Sequence, residues 1–289
     1  MKKSTYKYFL IIVGSFFIIS CEDVIEVELN DAESMPVIEA KLYNQFQQPT
    51  VLLSMSSDFF GELEFNLIED ADVRITDEQG NSTVFAADDS IGIYTAEDFF
   101  GVPGESYTLE VGLGESSYTG ISYMPEPLSI DSLTDFPFDG EFGPHREGYG
   151  LYCFFSNPGG QRDYMKFNIY KNFELSNSLY LVDDFYIDGI QSQVFFRENS
   201  FEPGDTVIVE MLTMDAAVYE YLYNLSDIVE GASTGTSIPY NPDSNLSEGA
   251  LGYFGAFGVN GAVIIIGDTT LASSFSPRET SGLLKRIRR

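Results

Sequence analysis

The chain has 289 residues, with 45 Asp and Glu against 15 Lys and Arg, a net charge of −30, two cysteines and one histidine. This acidity excludes a nucleic-acid partner, since phosphate binding needs a clustered cationic face to replace its counterions. Hydrophobic residues make up 44%, including 24 Phe and 18 Tyr, too apolar for an acidic disordered chain, so a packed core in one large or two small domains is expected.

Lys2, Lys3 and Lys7 lead into an apolar run from Tyr8 to Ile19. The run is too short to cross a bilayer, which takes ~20 helical residues, but it suits the apolar segment of a secretory signal. It ends in Ile18-Ile19-Ser20-Cys21: an aliphatic residue, then a small residue, then a cysteine. That spacing is a lipobox, in which the thiol takes a diacylglycerol group and the peptidase requires a small residue before it. Residues 1–20 are expected to form a lipoprotein signal peptide, with Cys21 the lipidated residue and a membrane the first partner. Each buried methylene adds ~0.8 kcal/mol, so two or three acyl chains hold where one is marginal. Residues 21–34, opening Cys21-Glu22-Asp23, read as an acidic tether.

Residues 35–124 read as an immunoglobulin-like β-sandwich. Val37–Tyr43 and Thr50–Met55 are two strands separated by a turn, and Ala71–Thr76 with Thr83–Ala86 is a hairpin around Glu78-Gln79-Gly80-Asn81. Ile91–Tyr94, Tyr107–Val111 and Ser117–Ile121 complete about seven short strands. No cysteine falls in this stretch, so no disulfide joins its sheets. Met124-Pro125-Glu126-Pro127 stiffens the chain, and 125–131 is taken as a linker.

Residues 132–289 are expected to form a second β-rich domain with one short helix and a basic tail, so the fold class is mainly β. Its strands are Leu151–Phe155, Tyr164–Tyr170, Gln193–Phe196, Thr206–Met211, Leu251–Phe257 and Ala262–Ile266. The helix is capped by Asp215, carries Val218, Leu222 and Leu225 on one face and can end at Gly231. Tyr219 and Tyr223 flank that stripe and read as packing. Pro103–Glu110 and Pro203–Glu210 echo one another as a turn feeding a strand, which common turn chemistry explains.

Catalytic inventories fail. His145, in a Gly/Pro-rich stretch, is the sole histidine, no G-x-S-x-G elbow or phosphate-binding glycine motif occurs, and Cys153 has no second mature cysteine as partner. No enzyme, cofactor or metal is expected, and a hydrolase built on a carboxylate pair is the least favoured reading. Asp183, Asp184 and Asp188, ahead of Gly189, are oxygen-rich enough for calcium, but their spacing is not that of an EF-hand. A solvated acidic turn is preferred there. Glycines 252, 255, 258 and 261 interleave with aromatics, which reads first as bulges and close backbone approach. The alternative is an interaction surface of Tyr240, Tyr253, Phe254 and Phe257. The basic end, Lys285, Arg286, Arg288 and Arg289, is either a frayed tail or a contact for acidic groups.

Asn241-Pro242-Asp243-Ser244-Asn245 followed by Gly249-Ala250-Leu251-Gly252-Tyr253-Phe254-Gly255-Ala256 resembles a Bacteroidota lipoprotein family, domain of unknown function 4249. Val37–Ala40, Pro103–Tyr107 and Met124-Pro125 with Ile130–Leu133 add weaker matches. The acidic residues after Cys21 likewise resemble the export signal of Bacteroidota surface lipoproteins. Members of the family are often encoded beside a TonB-dependent outer-membrane receptor. The resemblance thus implies a lipid-anchored, outward-facing accessory of such a barrel that helps capture a small nutrient ligand; the alternative is a structural or adhesive surface lipoprotein.

Overall fold

The computed structural model describes residues 34–45, 47–56, 66–138, 148–196, 200–234 and 240–268. The expected signal peptide, Cys21, the expected tether up to residue 33, His145 and the basic end lie outside them.

Strand β1 (Pro36–Tyr43) alternates, burying Ile38, Ala40 and Leu42 completely. It pairs antiparallel with β2 (Thr50–Met55), setting Ile38 opposite Leu53 and Ala40 opposite Val51. The short β3 (Asn66–Leu67) adds to β2. The expected hairpin is β4 (Asp72–Asp77) with β5 (Ser82–Ala87). Its turn is held by Asp77 Oδ1, which accepts from Gln79 N at 3.0 Å and Asn81 N at 2.8 Å. Strands β6 (Ile93–Thr95), β7 (Ser106–Leu113) and β8 (Ser116–Tyr123) follow. Their inward residues, among them Val73, Ile75, Phe85, Tyr94, Tyr107, Leu109 and Val111, close one core.

Beyond Pro127, a smaller sheet of order β14–β10–β9 contains β9 (Ser129–Pro137), β10 (Tyr149–Ser156) and β14 (Gln191–Phe195). It faces β11 (Tyr164–Lys171) and β15 (Thr206–Met214) across a second core, where Phe155 and Phe196 each pack on Phe167 at 5.8 Å. The small β12 (Glu174–Leu175) and β13 (Tyr180–Asp183) edge β11. Helix α1 (Ala216–Thr234) and the 15-residue β16 (Leu251–Ile265) complete the described chain.

Strand β16 runs between the two expected domains. Leu251–Phe257 pairs parallel with Val37–Tyr43 of β1, while Gly258–Ile265 pairs antiparallel with β15. The two predicted strands at 251–257 and 262–266 are therefore one, and it spans both cores: Phe254 and Ala256 join the first, Ala262 and Ile264 the second. Residues 132–289 thus do not keep their strands to themselves, and the pairing fuses the strands into one 13-stranded sheet beside the three-stranded one. The glycines make this possible. Gly252 has φ +100°, and a Cβ there would lie 2.0 Å from the Ile38 carbonyl oxygen. A Cβ at Gly258 would lie 2.5 Å from the Pro125 carbonyl oxygen, so its absence lets the proline segment cross β16.

A polar junction reinforces the crossing. Ser122 Oγ donates to Asp215 Oδ2 at 2.6 Å and accepts from Ala256 N at 2.9 Å, and Tyr123 N donates to the same Asp215 oxygen at 3.0 Å. The other Asp215 oxygen accepts from Val218 N at 2.9 Å, so the expected helix cap is also the tie to β8. Val218 and Leu222 are buried, whereas Leu225 is exposed.

Candidate functional site

Glycine-aromatic strand β16 is central, bonded along both edges and covered on both faces. Phe254 lies in the first core, and Tyr253 and Phe257 pack under α1 with Tyr221 at 5.0 Å and Tyr43 at 5.7 Å respectively. Phe254, Tyr253 and Phe257 are 0%, 4% and 2% exposed and offer nothing to a ligand, which removes them from the expected interaction surface. Tyr240 does stand exposed.

The exposed aromatic surface is elsewhere, where the start of β11, the end of β13 and the first turns of α1 converge. Register places Tyr164 opposite both Asp183 of β13 and Met214 of β15, one residue before the helix cap. Arg162 lies over the Tyr164 ring at 5.6 Å and the Phe185 ring at 4.9 Å. Its Nη2 pairs with Asp183 Oδ2 at 3.3 Å, and Asp183 Oδ1 accepts from Phe185 N at 3.0 Å. Phe185 contacts Tyr186 edge-on at 4.7 Å, and Tyr164 continues to Tyr219 at 4.9 Å and on to Tyr223 at 6.1 Å.

The result is a strip of five rings and one guanidinium. Tyr219 is nearly buried and anchors it, while Phe185, Tyr186 and Tyr223 are 60%, 88% and 51% exposed. Burial, with the charge of Asp183, raises the Tyr219 pKa, so its hydroxyl stays neutral. Single exposed apolar residues are ordinary, but a contiguous exposed patch marks an interaction surface. Rings flanked by an arginine suit it for docking, since aromatic and Arg side chains dominate such contacts.

Beneath the strip, the acidic turn separates into distinct roles. Asp183 belongs to the surface ion pair. Asp184 is 1% exposed, its Oδ2 accepts from Asn157 Nδ2 at 3.2 Å, and its backbone N donates to Asp163 O at 3.2 Å. Asp188 is exposed and accepts from Gly160 N at 3.0 Å. Burial pushes the Asp163 carboxyl above the usual range against the opposing Gln161 hydrogen bond, and the charges of Asp184 and Asp188 push the same way. Among the described residues, no group of three or more His, Cys, Asp or Glu side chains is placed to hold a metal.

Two further polar features differ in kind. Glu210 is fully buried but well satisfied, accepting from Gln47 Nε2 at 2.9 and 3.1 Å, Asn168 Nδ2 at 3.3 Å and Tyr170 Oη at 2.9 Å. This network ties the loop after β1 onto β11 and β15. At the far side of the first core, adjoining clefts of about 370 and 310 Å³ share Glu69, Asp70, Ala87 and Tyr94, with Asp72, Asp88 and Asp89 around them. The Tyr94 hydroxyl closes their floor against the Ile68 and Glu69 carbonyls.

The strip was missed in the sequence because its members are far apart, although Phe185-Tyr186 sets two large rings side by side inside an acidic turn. Tyr223, read as packing, is half in solvent. No helix among the described residues is long and apolar enough to cross a membrane.

No curated protein matches the chain in sequence. Among solved structures, a two-fibronectin type-III domain segment from chicken tenascin is similar at 10% identity and a TM-score of 0.21, over 64% of this chain and 93% of that one. A DUF4785 family protein from Legionella pneumophila is similar at 12% identity and a TM-score of 0.23, over 61% of this chain and 50% of that one. At those scores neither carries an argument about function. A family model does match, over residues 22–261, and the chain belongs to that family, the domain of unknown function DUF4249.

Proposed function

We propose that this chain is a non-catalytic surface lipoprotein of a Bacteroidota outer membrane, anchored through Cys21, that docks on a TonB-dependent receptor and helps it capture a small nutrient. The observation that carries the docking role is the strip of Arg162, Tyr164, Phe185, Tyr186 and Tyr223 anchored on the nearly buried Tyr219, with Phe185, Tyr186 and Tyr223 exposed. The lipobox and acidic leader support the location, and the family resemblance supports the receptor as partner. Tethering at one membrane raises the effective concentration of partner, so a modest patch suffices for docking. A binding role also agrees with Cys153, which is fully buried with its thiol pushed up to about 12 by burial and is therefore a poor nucleophile.

The test is recovery of a receptor barrel with the tagged chain after mild detergent extraction of outer membranes. Replacing Phe185 and Tyr186 together by Ala is expected to cut that recovery roughly tenfold, the effect of losing about 1.4 kcal/mol from a contact centred on aromatic anchors. Membrane retention should not change. Recovery of no barrel, or undiminished recovery with the double variant, would count against the docking role. Separately, Cys21→Ala should release the chain from membranes, and unchanged retention would refute the lipid anchor.

A further inference from the structure

Asn157 follows β10, Asp163 precedes β11 and Asp184 follows β13, so three strand ends deliver three oxygen-bearing side chains to one place. All three are nearly sealed from solvent, at 4%, 4% and 1% exposure. Asn157 Nδ2 donates to Asp184 Oδ2 at 3.2 Å and to the Ile187 carbonyl at 3.2 Å. Both partners are acceptors, so the orientation of the amide is fixed, and its oxygen is left as an acceptor. That Asn157 Oδ1 and the Asp163 Oδ2 atom are buried and receive no hydrogen bond from any described group. Among the described residues, Asp163 Oδ1 is met by the neutral Gln161 amide, at 3.1 Å.

Buried oxygens of this kind are uncommon in folded proteins and call for a missing partner. A bridging water could supply hydrogen bonds, but it would leave two adjacent buried carboxylates without compensating charge. Among the described residues, no Lys or Arg side chain pairs with either of them; Arg162, the nearest in sequence, is committed to Asp183 and Phe185. The surrounding loops are held ready. Asp188 binds the Gly160 amide, and Gly159 packs so closely on Gly189 that a Cβ on it would lie 3.0 Å from the Gly189 Cα.

We propose that Asn157, Asp163 and Asp184 bind one hard divalent cation of the calcium class, which locks the 157–163 and 184–190 loops together under the aromatic strip. The donor set is all oxygen and holds no nitrogen or sulfur ligand, which selects against zinc and copper. Two carboxylates, an amide oxygen and nearby carbonyls suit a flexible oxygen shell better than the strict octahedron of magnesium. The site stands independently of any receptor.

The experiment uses the full chain carrying Cys21→Ala, stripped with EGTA and titrated with calcium chloride by calorimetry, with magnesium chloride in parallel. One saturable calcium site is expected, at or below the ~1 mM typical of extracellular oxygen sites, together with a rise in melting temperature. Asp163→Asn and Asp184→Asn should each weaken binding at least roughly tenfold, an expectation from the count of charged ligands. Asp183→Asn, whose carboxylate pairs with Arg162 and accepts from Phe185 N at the surface, should bind as the parent does. Absence of heat and of any thermal shift in the parent chain overturns the proposal. So does parental affinity in either site variant, or a site variant that is more stable than the parent while calcium is inert. That last result would assign the cluster to a shared proton.

Discussion

Asp215 ties the start of α1 to β8 and, through Ser122, to β16, so its removal tests how these elements are coupled. Asp215→Ala deletes the acceptor for Val218 N at the helix N-terminus, a cap worth ~1 kcal/mol. It also leaves the Ser122 hydroxyl proton without its acceptor in a residue that is 1% exposed, although the oxygen still accepts from Ala256 N, and an unsatisfied buried donor costs about 1–3 kcal/mol. Tyr123 N, in an exposed setting, is taken over by water and adds little. The sum is roughly 3 kcal/mol, or ~6–12 °C in melting temperature for a chain of this size. Asp215→Asn keeps a capping oxygen and should cost only about a third as much. Urea unfolding followed by circular dichroism measures both, and an unchanged slope with denaturant shows that the loss lies in the folded state. Ser122→Ala also frees the Ala256 amide, so the Ser122–Asp215 pair should be coupled by about 1 kcal/mol or more in a double-mutant cycle. A cost below ~1 kcal/mol for Asp215→Ala, or additivity within ~0.5 kcal/mol, would refute the junction.

Gly252→Ala should be far harsher than an ordinary surface change, because the new methyl meets the β1 backbone and the φ of +100° suits glycine alone. A loss above ~3 kcal/mol, or failure to express folded chain, is expected, and near-parental stability would show that β16 does not pair with β1 in parallel. In the Cys21→Ala chain, Cys153 is the remaining cysteine, and its thiol, raised to about 12, should resist iodoacetamide at pH 8 until urea unfolds the protein. Rapid labelling of the folded chain would contradict its burial. Glu210→Ala should destabilise by about 3 kcal/mol or more, since it leaves three donor side chains in a buried network without their acceptor, whereas Glu210→Gln should retain most of the stability; calorimetric melting separates the two.

The local readings came from local physics. Short alternating or apolar runs bounded by turn residues located β1, β2, β4, β5, β7, β8, β10, β11 and β15, and Asp215 ahead of an apolar helical stripe located α1, because strand faces and caps depend on neighbours a few residues away. Alternation was weak in β9, which holds Asp131 and Asp135, and β13 is only four residues long, so neither stood out. Tertiary structure alone decided which faces meet solvent. Tyr253 and Phe257 looked available because a one-sided strand exposes every second residue; β16 instead lies between β1 and β15 under a helix, so its second face is a core as well. Conversely, Arg162, Tyr164, Phe185, Tyr186, Tyr219 and Tyr223 form one surface only because β11, β13 and α1 end at the same corner. The same closure separated Asp183, turned outward to Arg162, from Asp184, sealed against Asn157. Residue order sets the chemistry each segment carries, but burial and proximity follow from pairings across hundreds of residues, which no short window of sequence contains.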